Sequence, residues 1–116
     1  MGQIFLVDDD RSFLEIMEMV LEDTGYEVLC FEHGISLLRK LTTTTPDLIL
    51  LDYRLPQKNG AEITKIIRQR FKRKIPVIII SADLNVADKA LGSGANFFLA
   101  KPIDIDTLLT TINRYV

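Results

Sequence analysis

A chain of 116 residues, 47% hydrophobic and 26% charged, makes one ordinary domain with enough length for one solid core. Its net charge of −2 gives no bulk attraction to nucleic acid or to an anionic membrane. A lone cysteine, Cys30, excludes an internal disulfide; no apolar stretch reaches the roughly 18 residues of a membrane span, and no charged-then-apolar leader opens the chain, so the expected location is the cytoplasm.

Short apolar runs alternate with longer amphipathic ones. The predicted strands are residues 4–7, 28–31, 48–51, 77–80 and 97–100. Most are continuous apolar runs, the pattern of strands covered on both faces. After the first, Ser12 and Glu15 have capping-box spacing. Phe13, Leu14, Met17, Val20 and Leu21 then recur at helical spacing, and Gly25 marks a stop. A second helix is expected over 35–41, fraying into the four threonines 42–45. A third starts near Gly60 with Ile63, Ile66, Ile67 and Phe71 facing in. The fourth carries Leu84, Ala87, Ala90 and Leu91, with Gly92 and Gly94 to end it. The fifth runs from about Asp104 with Leu108, Leu109 and Ile112 inward. A β-α unit repeated five times, joined by short right-handed connections, gives a doubly wound α/β fold: a five-stranded parallel sheet with helices on both faces.

In such sheets ligands bind at the carboxyl ends of the strands. Asp8-Asp9-Asp10 ends the first predicted strand, Asp52 the third, Ser81 the fourth and Lys101-Pro102 the fifth. Each residue alone is more often a helix cap, a turn residue or a solvated charge; their joint placement describes one site. At about 4 Å and an effective dielectric near 20, each pair of carboxylates repels by about 4 kcal/mol, so a cation or a proton must accompany them. An all-oxygen site with open positions suits Mg²⁺ and phosphate partners, and Mn²⁺ should substitute. Zinc chemistry is disfavoured, since neither His nor Cys joins the cluster. A calcium loop starting at Asp8 fails because Phe13 stands where its tight turn needs glycine. Asp52 is the candidate nucleophile.

Four motifs together, Val7-Asp8-Asp9-Asp10, Leu51-Asp52-Tyr53-Arg54-Leu55-Pro56 with Asn59-Gly60, Ser81-Ala82, and Phe98-Leu99-Ala100-Lys101-Pro102, resemble the receiver domain of bacterial two-component response regulators. The resemblance runs from Ile4 to Val116 and implies a flavodoxin-like sheet of strand order 2-1-3-4-5. It implies that Asp52 is the phosphoacceptor, taking a phosphoryl group from a sensor histidine kinase or a histidine phosphotransfer protein. It implies metal ligation by Asp9 directly, by Asp8 through water, by Asp52 and by the main-chain carbonyl of Arg54. Ser81 would bind the phosphoryl group, Lys101 would pair with it, the Lys101–Pro102 bond would be cis, and Phe98 would be the aromatic switch. Phe98 has no hydroxyl, so any switch there acts by packing. The output surface would be the fourth helix, fifth strand and fifth helix, read by a downstream protein or an output domain. On this reading residues 1–116 are a single receiver domain with no output domain in the chain. It is not an enzyme beyond its own phosphorylation and dephosphorylation, and it contacts neither nucleic acid nor membrane directly.

Arg54 and Asp83 each stand two residues beyond a site residue, Asp52 and Ser81. They are expected to pair across the site mouth and shield the phosphoryl group from water, unless they are two unrelated solvated charges. His33 and Cys30 read as a surface residue and a small core residue. Arg68, Arg70, Lys72, Arg73 and Lys74 read as a solvated helix end. Two rival functions fit parts of the pattern. Asp8-x-Asp10 loosely resembles the nucleophile motif of haloacid-dehalogenase-type phosphatases, with Asp8 attacking and Asp10 as acid. A degenerate receiver would act only as a docking module.

Overall fold

The computed structural model describes residues 2–116. Five strands, β1 (Gln3–Val7), β2 (Glu27–Phe31), β3 (Leu48–Asp52), β4 (Val77–Ser81) and β5 (Phe97–Ala100), alternate with five helices, α1 (Arg11–Asp23), α2 (Gly34–Leu41), α3 (Gly60–Arg70), α4 (Ala87–Gly92) and α5 (Ile105–Asn113). The strands form one parallel sheet in the order β2-β1-β3-β4-β5, as expected. Every residue of β3 and β4 is buried, which explains their unbroken apolar sequence. The edge strand β2 alternates exposed and half-buried residues instead.

Alternate side chains of the strands feed two cores. Phe5, Val7, Ile49, Leu51, Val77 and Ile79 meet α2, α3 and α4 through Leu37, Leu41, Ile63, Ile67 and Ala90. Ile4, Leu6, Leu48, Leu50, Ile78 and Ile80 meet α1 and α5 through Leu14, Met17, Leu21, Leu108 and Ile112. Each fully buried aliphatic side chain stabilises the fold by about 1.5–3 kcal/mol relative to leaving it in water.

Two expectations are corrected. The capping box at Ser12 and Glu15 does not form. Asp10 is the N-cap of α1, its Oδ1 accepting a hydrogen bond from Phe13 N at 3.2 Å, so Ser12 already lies inside the helix. The acidic triplet that ends β1 therefore also starts α1. The fourth helical run is not continuous: Leu84–Val86 forms a 3-10 turn capped by Asp83, and α4 proper is 6 residues long. Val86 and Ala90 fill the core there, while Leu84 and Leu91 are 66% and 47% exposed.

Candidate functional site

The parallel register assembles the site. Val7 lies opposite Leu51 in neighbouring strands, so Asp8 and Asp52, one residue on, come level with each other. Both follow the side of the sheet that faces α1 and α5. Backbone hydrogen bonds carry the ladder past the strand ends: Asp8 N donates to Phe31 O at 3.0 Å, Tyr53 N to Ile80 O at 2.8 Å and Lys101 N to Ser81 O at 2.9 Å. The last bond, after β5, fixes Lys101 beside Ser81 in the chain trace and turns its side chain towards Asp8 and Asp52. Ser81 and Phe98 belong to the other side of the sheet, where Phe98 packs half-buried against the core under α3 and α4.

Asp8, Asp52 and Ser81 are buried, and Asp9 is exposed. One carboxylate oxygen from each of Asp8, Asp9 and Asp52 lies within 4.8 Å of the others. The Lys101 ammonium donates to Asp8 Oδ2 at 2.9 Å and lies 3.5 Å from Asp52 Oδ1. Asp8 Oδ1 accepts from Asp10 N at 2.9 Å, so both Asp8 oxygens are oriented. Burial, then the negative charge of Asp8, push the Asp52 carboxyl up to about 6 although Lys101 pulls the other way. Burial disfavours the Lys101 ammonium, yet its bonds to Asp8 and its attraction to Asp52 hold its pKa above the ordinary value. One ammonium thus leaves the acidic cluster undercompensated, and oxygen-only donors in such a cluster suit a hard divalent cation. On donor chemistry the residues fit Mg²⁺.

A contact that the sequence did not disclose completes the lysine's surroundings. Lys101 Nζ stands 4.3 Å from the centre of the Phe13 ring, a cation–π geometry. Phe13 read as a core-facing helix residue; half-buried, it packs against the core beside α1 and α5 and also lines the lysine. The Lys101–Pro102 bond is cis. Ser81 Oγ accepts from Asp83 N at 3.0 Å. Arg54 Nη2 lies 3.2 Å from Asp83 Oδ2, so the pair anticipated across the site mouth forms, linking the loops after β3 and β4. Gly60 closes the β3–α3 loop: its N donates to Tyr53 O at 2.7 Å, and a Cβ there would sit 2.8 Å from Asp52 O. Only glycine permits that approach. His33 is exposed as expected, while Cys30, expected in the core, is half-buried on edge strand β2 and packs against the core; burial, with Glu18 nearby, pushes its thiol up to about 11.

The sequence profile of the response regulator receiver domain matches residues 4–113. The chain belongs to that family. This receiver domain is 39% identical over 117 residues to the DNA-binding transcriptional regulator NtrC of Klebsiella pneumoniae, covering 99% of this chain and 25% of NtrC. It is 40% identical to the response regulator ArlR of Staphylococcus saprophyticus over 97% of this chain and 51% of ArlR. The chain thus spans a quarter to a half of these relatives. Among solved structures it resembles the receiver domain of the sensor histidine kinase PA1611 of Pseudomonas aeruginosa, which carries a magnesium ion in its active-site cleft, with a TM-score of 0.90, 31% identity and coverage of 98% and 96% of the two chains. The chemotaxis response regulator CheY4 of Vibrio cholerae superposes with a TM-score of 0.91 at 28% identity, covering 100% and 99%.

The receiver fold also weighs against the phosphatase reading. Asp10, its supposed acid, is engaged as the cap of α1, and Asp8, its supposed nucleophile, is held on both oxygens.

Proposed function

We propose that Asp52 of this receiver domain accepts a phosphoryl group from a phosphohistidine on a sensor kinase or phosphotransfer protein. The observation that carries this reading is the single ammonium of Lys101 set 2.9 Å from Asp8 and 3.5 Å from Asp52 in a cluster that still holds excess negative charge. An Asp52 carboxylate oxygen bonds to phosphorus as the bond from phosphorus to the donor nitrogen breaks, and the leaving imidazole keeps its electron pair and takes a proton. Lys101 pairs with a phosphoryl oxygen and Ser81 donates its hydroxyl to another. Asp9, Asp52 and the Arg54 carbonyl would hold Mg²⁺ directly and Asp8 through water, with Mn²⁺ as a substitute. When bound, the metal neutralises charge on the transferring group.

The product adds about −1.5 to −2 charge beside Asp52. Ser81, drawn towards it, loosens its hold on Asp83 N and leaves room for Phe98 to turn inward by packing alone. The surface built from α4, β5 and α5 changes with it, and the exposed Leu84 and Leu91 support a face that proteins read. No helix of the described residues is long and apolar enough to cross a membrane. We place the domain's work in the cytoplasm, in keeping with its free thiol and kinase partner. The domain acts on no substrate but its own aspartyl group.

Intact mass after incubation with acetyl phosphate and Mg²⁺ tests the reading. The expected result is a gain of one phosphoryl group, lost in Asp52→Asn and with chelator. Absence of an adduct from small-molecule and kinase donors alike sinks it.

A further inference from the structure

We propose that the groove between α2 and α3 docks an acidic amphipathic helix of a protein partner. The groove has a volume of about 350 Å³. Ile35, Leu38 and Ile66 form its apolar part, and Arg39, Lys58 and Arg70 stand around it. Ile35 is 48% exposed, although it begins the turn of α2 that otherwise buries Leu37 and Leu38. None of the three cations forms an ion pair among the described residues, and no carboxylate lines the groove.

The charge is local and deliberate in sequence terms. Between Ile63 and Ala82 lie 6 of the chain's 14 basic residues and none of its 16 acidic ones. Contrary to its reading as a solvated charge, Arg68 is half-buried and donates to Gly94 O, Ile75 O and Asn96 Oδ1. A solvated helix end accounts for Arg70, which complements the C-terminus of α3. It does not account for Arg39 on α2 and Lys58 on the loop before α3, which bring positive charge to the same groove from two other segments. Lys58 is placed there by the turn at Gln57, whose φ is 71°, and by its own N–H donating to Pro56 O at 2.8 Å.

The walls select the occupant. Both are helices whose backbone groups are bonded internally, so the groove offers no strand edge for an extended peptide. A nucleic acid would satisfy the cations and leave Ile35 in water. A flat anionic membrane would not reach into a concave groove. A helix with apolar residues at i, i+3 and i+4 and Asp or Glu on both flanks covers the apolar part and meets all three cations. This surface is separate from the one formed by α4, β5 and α5. It does not depend on Asp52, so Asp52→Asn should leave its binding intact.

The probe is a synthetic helical peptide of about 15 residues with a Leu stripe flanked by Glu, beside a scrambled peptide of equal composition and one with Lys for Glu. Amide chemical shifts of the isotopically labelled protein report where it binds, and fluorescence anisotropy reports affinity. Expected are shifts clustered on α2, α3 and the Lys58 loop, tighter binding at low salt, and a loss of about tenfold in each of Ile35→Ser and Arg70→Glu, with Lys89→Glu unchanged. Equal binding of the scrambled peptide, shifts centred elsewhere, or no binding at millimolar peptide overturns the proposal. So does tighter binding at these residues by a DNA oligonucleotide or by phosphatidylserine vesicles, or self-association of the protein through the groove in sedimentation.

Discussion

Arg54 and Asp83 meet at 3.2 Å, joining the loop that follows Asp52 to the loop that follows Ser81. The Arg54 side chain is 72% exposed, so the pair contributes little to stability, about 0–1 kcal/mol. Its position is the more informative property. If Asp52 carries a phosphoryl group, a tie between the loops on either side of it can hinder the approach of water. Arg54→Ala and Asp83→Ala are each expected to speed autodephosphorylation by about 2- to 5-fold, the range that an exposed pair of this strength can supply. Because either change breaks the same contact, the double variant should be no faster than the singles. Phosphoryl loss followed by intact mass over time decides it; unchanged rates would mean that the pair is two tethered surface charges.

Asp52 is costly to the metal-free protein. Its carboxyl is raised from 3.8 to about 6, chiefly by burial and then by Asp8. A raised acid binds protons more tightly folded than unfolded, so its stabilising contribution is complete below about pH 4 and is lost as pH rises through about 6. The shift corresponds to about 3 kcal/mol at neutral pH and above. Without metal, Asp52→Asn should therefore raise urea stability at pH 7.5 by about 1–3 kcal/mol, with the advantage vanishing near pH 4. Mg²⁺ should stabilise the wild type at pH 7.5 and the variant far less. A difference between variant and wild type that is the same at pH 4 and pH 7.5 would show that Asp52 does not carry this burden.

Much of this fold and site is legible in the sequence, for a physical reason. The strands of a parallel sheet are buried on both faces, so each betrays itself as an apolar run, and its carboxyl end as the first polar residue after it. That is why Asp8, Asp52, Ser81 and Lys101 could be placed at one end of the sheet, and why Arg54 and Asp83, each two residues further, could be paired. Strand order was inherited from resemblance, since periodicity says nothing of neighbours. Local competitions were not legible. Ser12 and Asp10 both cap well, and only the three-residue span between β1 and α1 decides for Asp10. Phe13 has the spacing of a core residue, and its contact with Lys101 spans most of the chain length, beyond any local pattern.

Lys101 competes with any cation for Asp8 and Asp52. Removing its charge should tighten metal binding while abolishing phosphorylation. Lys101→Ala is expected to bind Mg²⁺ about fivefold more tightly, the effect of one unit charge at contact distance in a watery site. Phe13→Ala keeps the charge but removes the ring that confines it. It should lower the phosphorylation rate by a few fold, as an exposed cation–π contact of about 0.5–1 kcal/mol allows, with metal affinity near wild type. Titration calorimetry and phosphorylation time courses separate the two. Weaker Mg²⁺ binding in Lys101→Ala would contradict the competition.

The last prediction concerns backbone rather than charge. The start of α3 approaches the end of β3 so closely that a Cβ on Gly60 would lie 2.8 Å from Asp52 O and 3.0 Å from Tyr53 Cα. Both neighbours are main chain, so neither can rotate away. The loop between them carries the Arg54 carbonyl, and Asn59 anchors it through a capping box with Glu62. Gly60→Ala must therefore push α3 off the sheet or lift the loop. Overpacking of this kind costs about 1–3 kcal/mol. Urea denaturation should show that loss, and Mg²⁺ affinity should fall with it, because the carbonyl is displaced relative to Asp8 and Asp52. A substitution elsewhere on α3 of equal cost, such as Ile67→Val, should reduce stability without touching metal affinity. If Gly60→Ala behaves like Ile67→Val, the close approach supports the fold alone and does not set the geometry of the site.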